Sequence, residues 1–173
     1  MDKWFMVAVA GPDRPGIVAH LTAALFDGGC NLGEGSMKRL GGNFTMMLMV
    51  QSERRESALR ALLAPVVESL DLHLHIDRIK GELHHHVEPD VRINLSGEDR
   101  SGIVAHATAA LAEAGLHILS LESDVAGSRD APVYVLHIEG AAMEGIPALE
   151  SALEIIASER IETRLTPIDT VTG

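Results

Sequence analysis

The stretch Gly11-Pro12-Asp13-Arg14-Pro15-Gly16-Ile17-Val18-Ala19-His20-Leu21-Thr22-Ala23-Ala24-Leu25 recurs 86 residues later as Gly97 to Leu111. Twelve of the 15 positions are identical, the exceptions being Pro12/Glu98, Pro15/Ser101 and Leu21/Ala107. Chance would give about one match, so the chain contains a duplicated unit. Aligned without gaps, the next 25 positions agree only at Gly29/Gly115 and Gly41/Gly127. The loop and helix have stayed alike while their surroundings diverged. A shared structural need or a shared ligand would each explain that.

Working outward, each copy reads in the same order. Trp4 to Ala10 is a short apolar run before a Gly/Pro break, and Val91-Arg92-Ile93-Asn94-Leu95 alternates with a period of two, so both predict strands. Gly11 to Gly16 forms a turn, after which Ile17, Val18, Leu21, Ala24 and Leu25 share one face of a helix. Gly28-Gly29, and Ala114-Gly115 in the second copy, end that helix. A strand over 31–40 then turns tightly at Gly41-Gly42 into a strand over 43–51. In the second copy the connection is longer, Ala126 to Pro132, and leads into Val133 to Ile138. A second helix follows in each copy, through Leu59, Leu62, Leu63, Val66, Val67 and Leu70, or through Ile146, Leu149, Leu153 and Ile156. Pro65 should kink or shorten the first of these, whereas Pro147 suits a first turn. Strands over 72–79 and 161–168 close the copies. The fold class is α+β, with two ferredoxin-like βαββαβ domains in tandem. The domains span 1–81 and 90–173, and 82–89, containing His84-His85-His86, is the linker.

Composition agrees with thin sheet-and-helix cores. Of 173 residues 46% are hydrophobic but only 3% aromatic, so the cores must be aliphatic. A single cysteine, Cys30, excludes an internal disulfide and fits a reducing compartment. The longest stretch without Asp, Glu, Lys or Arg is 13 residues, Leu40 to Ser52, too short for a membrane span. The N-terminus enters an alternating segment with no signal-peptide hydrophobic region, and a cytoplasmic location is expected. Residues 1–81 carry 9 basic and 9 acidic side chains, whereas 82–173 carry 5 and 16, which is the whole net charge of −11. With no basic stripe for phosphates, direct nucleic-acid binding is not expected. The acidity reads as a solvated surface, or as a docking face for a basic partner.

The repeated loop is the candidate binding element. A tight turn before a helix exposes unpaired backbone N–H groups and the positive end of the helix dipole, which suit a carboxylate. Arg14 and Arg100 could pair with that carboxylate, and Asp13 and Asp99 could receive an ammonium group. A free amino acid carries both groups on one carbon. Alternatively, Asp13 and Asp99 cap the helices while Pro15 and the glycines shape the turn. Elsewhere the chemistry is thin. His73 and His75 share a strand face and His84-His85-His86 follows, but no zinc-type ligand spacing accompanies them, so no physiological metal is implied. His20 and His106 read as boundary side chains of the helix face. Met46, Met47 and Met49 read as core filler. No phosphate-cradling, nucleophile-elbow or dinucleotide-binding pattern is present, and Cys30 has no partner at a recognisable spacing. The chain reads as a non-enzyme without cofactors.

The pattern Gly-x-Asp-Arg-x-Gly-Ile-Val between strand and helix, with Gly-x-Asn/His-Leu/Ile opening the next strand, resembles the ACT domain. Two such units, with Leu40-Gly41-Gly42-Asn43-Phe44-Thr45 at the first hairpin, resemble the glycine cleavage system transcriptional repressor family. The resemblance covers nearly the whole chain. It implies a regulatory protein that binds a small amino acid, glycine-like, and controls a protein partner, a transcriptional regulator of amino-acid or one-carbon metabolism. A homodimer is expected, since the sheet edges invite pairing. The alternative is a protein-interaction module without ligand binding. The resemblance assigns ligand binding to Gly11, Asp13, Arg14, Pro15, Gly16, Ile17 and Asn31, and in the second copy to Asp99, Arg100, Gly102 and His117. Asn31 and His117 are expected beside the same end of the sheet as the loops. The resemblance departs at Gly11-Pro12 and Gly97-Glu98, where some amino-acid-binding members carry a histidine, and Glu98 makes the second loop less hospitable to a carboxylate. The first loop is therefore the better candidate.

Overall fold

A computed structural model describes residues 3–80, 87–98, 102–129 and 131–168. The chain divides into two units, Met1–His84 and His85–Gly173. The first holds β1 (Lys3–Pro12), α1 (Ile17–Asp27), β2 (Asn31–Leu40), β3 (Asn43–Ser52), α2 (Glu56–Ser69) and β4 (His73–Ile79). The second holds β5 (Val91–Glu98), α3 (Ile103–Glu113), β6 (Leu116–Ser128), β7 (Ala131–Ala142), α4 (Ile146–Ser158) and β8 (Ile161–Pro167). Their sheets have the orders β2-β3-β1-β4 and β6-β7-β5-β8, with every neighbouring pair antiparallel. Each unit is thus the βαββαβ arrangement that the repeat predicts.

The alternation of apolar residues decides which sheet face the helices cover. Phe5, Val7 and Val9 of β1 and Phe44, Met46, Leu48 and Val50 of β3 are buried. They join Ile17, Leu21 and Leu25 of α1 and Leu59 and Leu63 of α2 in one cluster. Burying each such side chain is worth roughly 1.5–3 kcal/mol, and the cluster contains no Trp or Tyr. The second unit repeats the scheme with Ile93, Leu95, Leu111, Ile138, Leu149 and Ile156. Met47 and Met49 fall on the opposite parity of β3. Met47 is half exposed, so of the three strand methionines only Met46 is core filler.

Two local expectations are corrected. Of the two expected effects of Pro65, shortening does not occur, because the residue lies inside α2, which runs on to Ser69. The hydrogen bond that the ring denies the helix is offset by burial of Leu59 and Leu63, with Val66, Val67 and Leu70 packed on the same core. The second hairpin has no long connection. Ala126, Gly127 and Ser128 pair with Val133, Pro132 and Ala131, so β6 and β7 continue almost to the turn. Cross-strand pairing there overrides the Gly/Pro content that suggested a loop. The Gly41-Gly42 turn is as expected: φ is 57° and 76°, the left-handed pair that a two-residue hairpin requires.

Candidate functional site

The repeated loop of the first unit lines an open cavity of about 550 Å³ between the first turn of α1 and the end of β2. Its geometry follows from three fixed points. Gly16 takes φ 87°, which ends the turn and starts α1 at Ile17. The Asp13 backbone N–H donates to the Gly42 carbonyl at 3.0 Å, tying the loop to the hairpin. Phe44, 2% exposed, pairs with both Gly11 and Arg39 and forms the floor. Ile17, Val18 and Ala19 of the first turn of α1 line one wall, and N–H groups at such a helix start lack intrahelical partners.

Asp13, Arg14, Pro15, Gly16 and Ile17 all line this cavity, so the structure brings five of the expected residues together. It adds Arg39, which the sequence reading missed. The Arg39 guanidinium forms an ion pair with the Asp13 carboxylate. Asp13 does not cap α1: Gly16 is the N-cap, and no side-chain cap hydrogen bond is made there. His20 Nδ1 lies 2.7 Å from the Gly16 carbonyl oxygen, a contact that needs the proton on Nδ1. Both His20 and its repeat partner His106 are exposed, outside the margin of the apolar helix face where the sequence put them.

Gly11 has a different role from the one assigned to it. A Cβ there would lie 2.8 Å from the Asp71 backbone oxygen, so the absent side chain lets the α2–β4 turn pack on β1. Asn31 is placed away from the loop. It pairs with Gln51, which lies opposite Trp4, whereas the loop leaves β1 beside Asn43. Trp4 and Gly11 are seven steps apart along the strand, roughly 23 Å. The expectation that Asn31 flanks the loop fails because α1 returns the chain to the start of the sheet, so β2 begins at the opposite end. Asn31 Nδ2 instead donates to Gln51 Oε1 at 3.4 Å.

In the second unit Gly102 repeats the left-handed turn, with φ 91°. Asp99 and Arg100 lie outside the described residues. His117 pairs with Ala141, at the sheet end away from Gly97, and is corrected for the same reason as Asn31. The row Gly97–Tyr134–Val125 corresponds to Gly11–Phe44–Arg39, so Val125 stands where the first unit has its strand arginine. Among the described residues no group of three or more His, Cys, Asp or Glu side chains could hold a metal ion. His75 Nε2 lies 2.8 Å from Asp77 Oδ2 on an exposed strand face, and 84–86 lie outside the described residues. Cys30 is buried, with Ser52 Oγ 3.5 Å from its sulfur. No helix among the described residues is long and apolar enough to cross a membrane.

Comparison with known proteins agrees with this architecture. The sequence profile of the ACT domain matches residues 3–77. The UPF0237 protein YjhC of Lactococcus lactis is 38% identical over 72 residues, which cover 41% of this chain and 83% of that protein. A crystal structure of an unknown protein from Galdieria sulphuraria superposes with a TM-score of 0.78 at 24% identity, covering 97% of this chain and 99% of that one. A second, provisionally named a glycine cleavage system transcriptional repressor, gives a TM-score of 0.72 at 17% identity over 98% and 99% of the two chains. At these identities the two structures speak to the fold, and both carry it along their full length. The chain belongs to the ACT-domain family, whose profile its first unit matches, and the second unit repeats the same ACT-like fold in tandem.

Proposed function

We propose that this chain is a regulatory protein without catalytic activity. Its first module, 1–81, senses a small metabolite of the amino-acid class in the cavity beside the repeated loop. The second, 90–173, acts chiefly through its surface. The carrying observation is the convergence of Asp13, Arg14 and Arg39 on one cavity beside a helix start. Charged groups of both signs at such a place suit a small charged molecule better than they suit core packing. The likeness to a protein named as a glycine cleavage repressor supports a partner that regulates transcription in amino-acid or one-carbon metabolism. The acidic charge of the second half argues for contact with a protein rather than directly with nucleic acid. Glycine is one candidate for the ligand, although it would leave most of 550 Å³ to water.

A second reading, interaction without a ligand, draws on β2. All ten residues of this edge strand are exposed, including Leu32, Met37 and Leu40. Such an edge can accept a strand from a second copy or from a partner. Thermal melting in the presence of the amino acids and their deaminated counterparts separates the readings. Ligand at 100 times its Kd should stabilise the chain by about 2.7 kcal/mol, and Arg14→Ala should abolish the effect. A melting transition that no such compound moves at millimolar concentration would leave only the interaction reading standing.

A further inference from the structure

The cavity's charges do not match a zwitterion. Asp13, Arg14 and Arg39 are its ionic side chains, a sum of +1. The carboxylate is already engaged: Asp13 is 22% exposed in its side chain and paired with Arg39. Arg14 lines the same space and makes no side-chain ion pair or hydrogen bond among the described residues. Ile17, Val18, Met37 and Phe44 supply an apolar wall and floor.

From this arrangement we infer that the site takes an aliphatic monocarboxylate lacking an α-ammonium group, a 2-oxo acid being the simplest such ligand. Arg39 is the specificity-determining residue. The inference rests on the sensor reading above and replaces the amino acid by its deaminated counterpart as the ligand of that same site.

A carboxylate entering the cavity meets the Arg14 guanidinium, whose planar fork can bind both of its oxygens. Arg39 keeps further N–H donors beyond those spent on Asp13, and a 2-oxo oxygen can accept one. The aliphatic tail then lies against Val18, Met37 and Phe44. An amino acid of the same skeleton places an ammonium group beside two guanidinium groups, with the neighbouring carboxylate already neutralised. To gain Asp13 it must expel Arg39, giving up one charge-assisted pair to make another. Arg39 is not demanded by the fold, because Val125 occupies its register position in the second unit. Its presence in the first unit therefore calls for a local reason, and selection against an ammonium provides one.

The test is isothermal titration of the full chain with 4-methyl-2-oxopentanoate and with leucine, which share a carbon skeleton. The oxo acid is expected to bind at least about tenfold more tightly, the scale of one charge-assisted hydrogen bond. Arg39→Gln should weaken the oxo acid, strengthen leucine and so reverse the order. Asp13→Asn should spare the oxo acid and weaken leucine further. The Arg39 side chain is 67% exposed, so Arg39→Gln should melt as the unaltered chain does, which controls for folding. Leucine or glycine binding the unaltered chain as tightly as the oxo acid would overturn the inference and leave the sensor reading intact. A preference that Arg39→Gln does not change would also overturn it, by removing Arg39 as its cause. Failure of the oxo acid, and of every amino acid, to bind would overturn both readings together.

Discussion

Phe5→Ala is expected to remove about 3–5 kcal/mol of the stability of the first unit, the range for truncating a fully buried aromatic side chain. Phe5 is 1% exposed and lies in the cluster with Val7, Leu21, Leu25 and Leu63. The loss combines the transfer of the ring to water with the void it leaves, because packed neighbours relax only in part. Against a total of roughly 5–15 kcal/mol for a typical domain, such a change brings a small module close to unfolding. Phe26→Ala is the control. Phe26 is 77% exposed on α1, and its removal should change stability by less than about 0.5 kcal/mol. Urea titration followed by circular dichroism measures both. Similar losses for the two variants would show that the core does not lie where the alternation of β1 puts it. The consequence reaches the cavity as well, because β1 ends in the loop that carries Asp13 and Arg14.

The contrast between Phe5 and Phe26 marks how far the sequence alone shows which side chains face the core. Facing is a local property, set by a period of two in strands and 3.6 in helices, so the cores of β5, α1 and α4 could be read directly, whereas the uniformly apolar run of β1 marked a strand without marking its buried face. Helix ends were legible for a related reason: Gly16, Gly28 and Gly102 punctuate the chain wherever they fall. The Gly41-Gly42 turn even fixed the pairing of β2 with β3. What was missed depends on geometry between distant segments. Arg39 meets Asp13 across 26 residues, through a strand register and a loop conformation that no single window contains. The register was nevertheless within reach. A two-residue turn at 41–42 sets Arg39 opposite Phe44, and counting β1 back from its Gly/Pro break sets Phe44 beside Gly11. Asn31 and His117 failed on direction rather than pattern. A helix between two parallel strands reverses the chain twice, which separates the end of the first strand from the start of the second by the full length of the sheet. The long loop expected at 126–132 failed because strand pairing outweighed composition.

Gly11 and Gly97 occupy the same position of the repeat, and substituting each by alanine should give opposite results. A Cβ at Gly11 meets the Asp71 backbone oxygen and Leu72 Cδ2, both at 2.8 Å. The leucine can turn aside, but the carbonyl belongs to the α2–β4 turn, where Asp71 itself holds a positive φ of 56°. Relieving the clash means moving that turn away from β1, at a cost of about 1–3 kcal/mol. At Gly97 the nearest atoms, the Arg160 backbone oxygen and Ile161 Cγ1, lie 3.5 Å from the added carbon, an ordinary contact. There the alanine strains nothing and restricts the unfolded chain, so the second unit should be unchanged or gain about 0.4–1 kcal/mol. Denaturant unfolding of the two variants measures the difference directly. The effect on binding should divide in the same way. Gly11 lies opposite Phe44, the floor of the cavity, and Phe44 lies opposite Arg39. A displaced β1 end therefore disturbs the Asp13–Arg39 pair, and Gly11→Ala should weaken any ligand bound there, whereas Gly97→Ala should not. Equal behaviour of the two variants would mean that the glycine is kept for a need common to both copies. Unequal behaviour would mean that one motif, copied within one chain, now supports a tightly packed binding loop in the first unit and a more tolerant turn in the second.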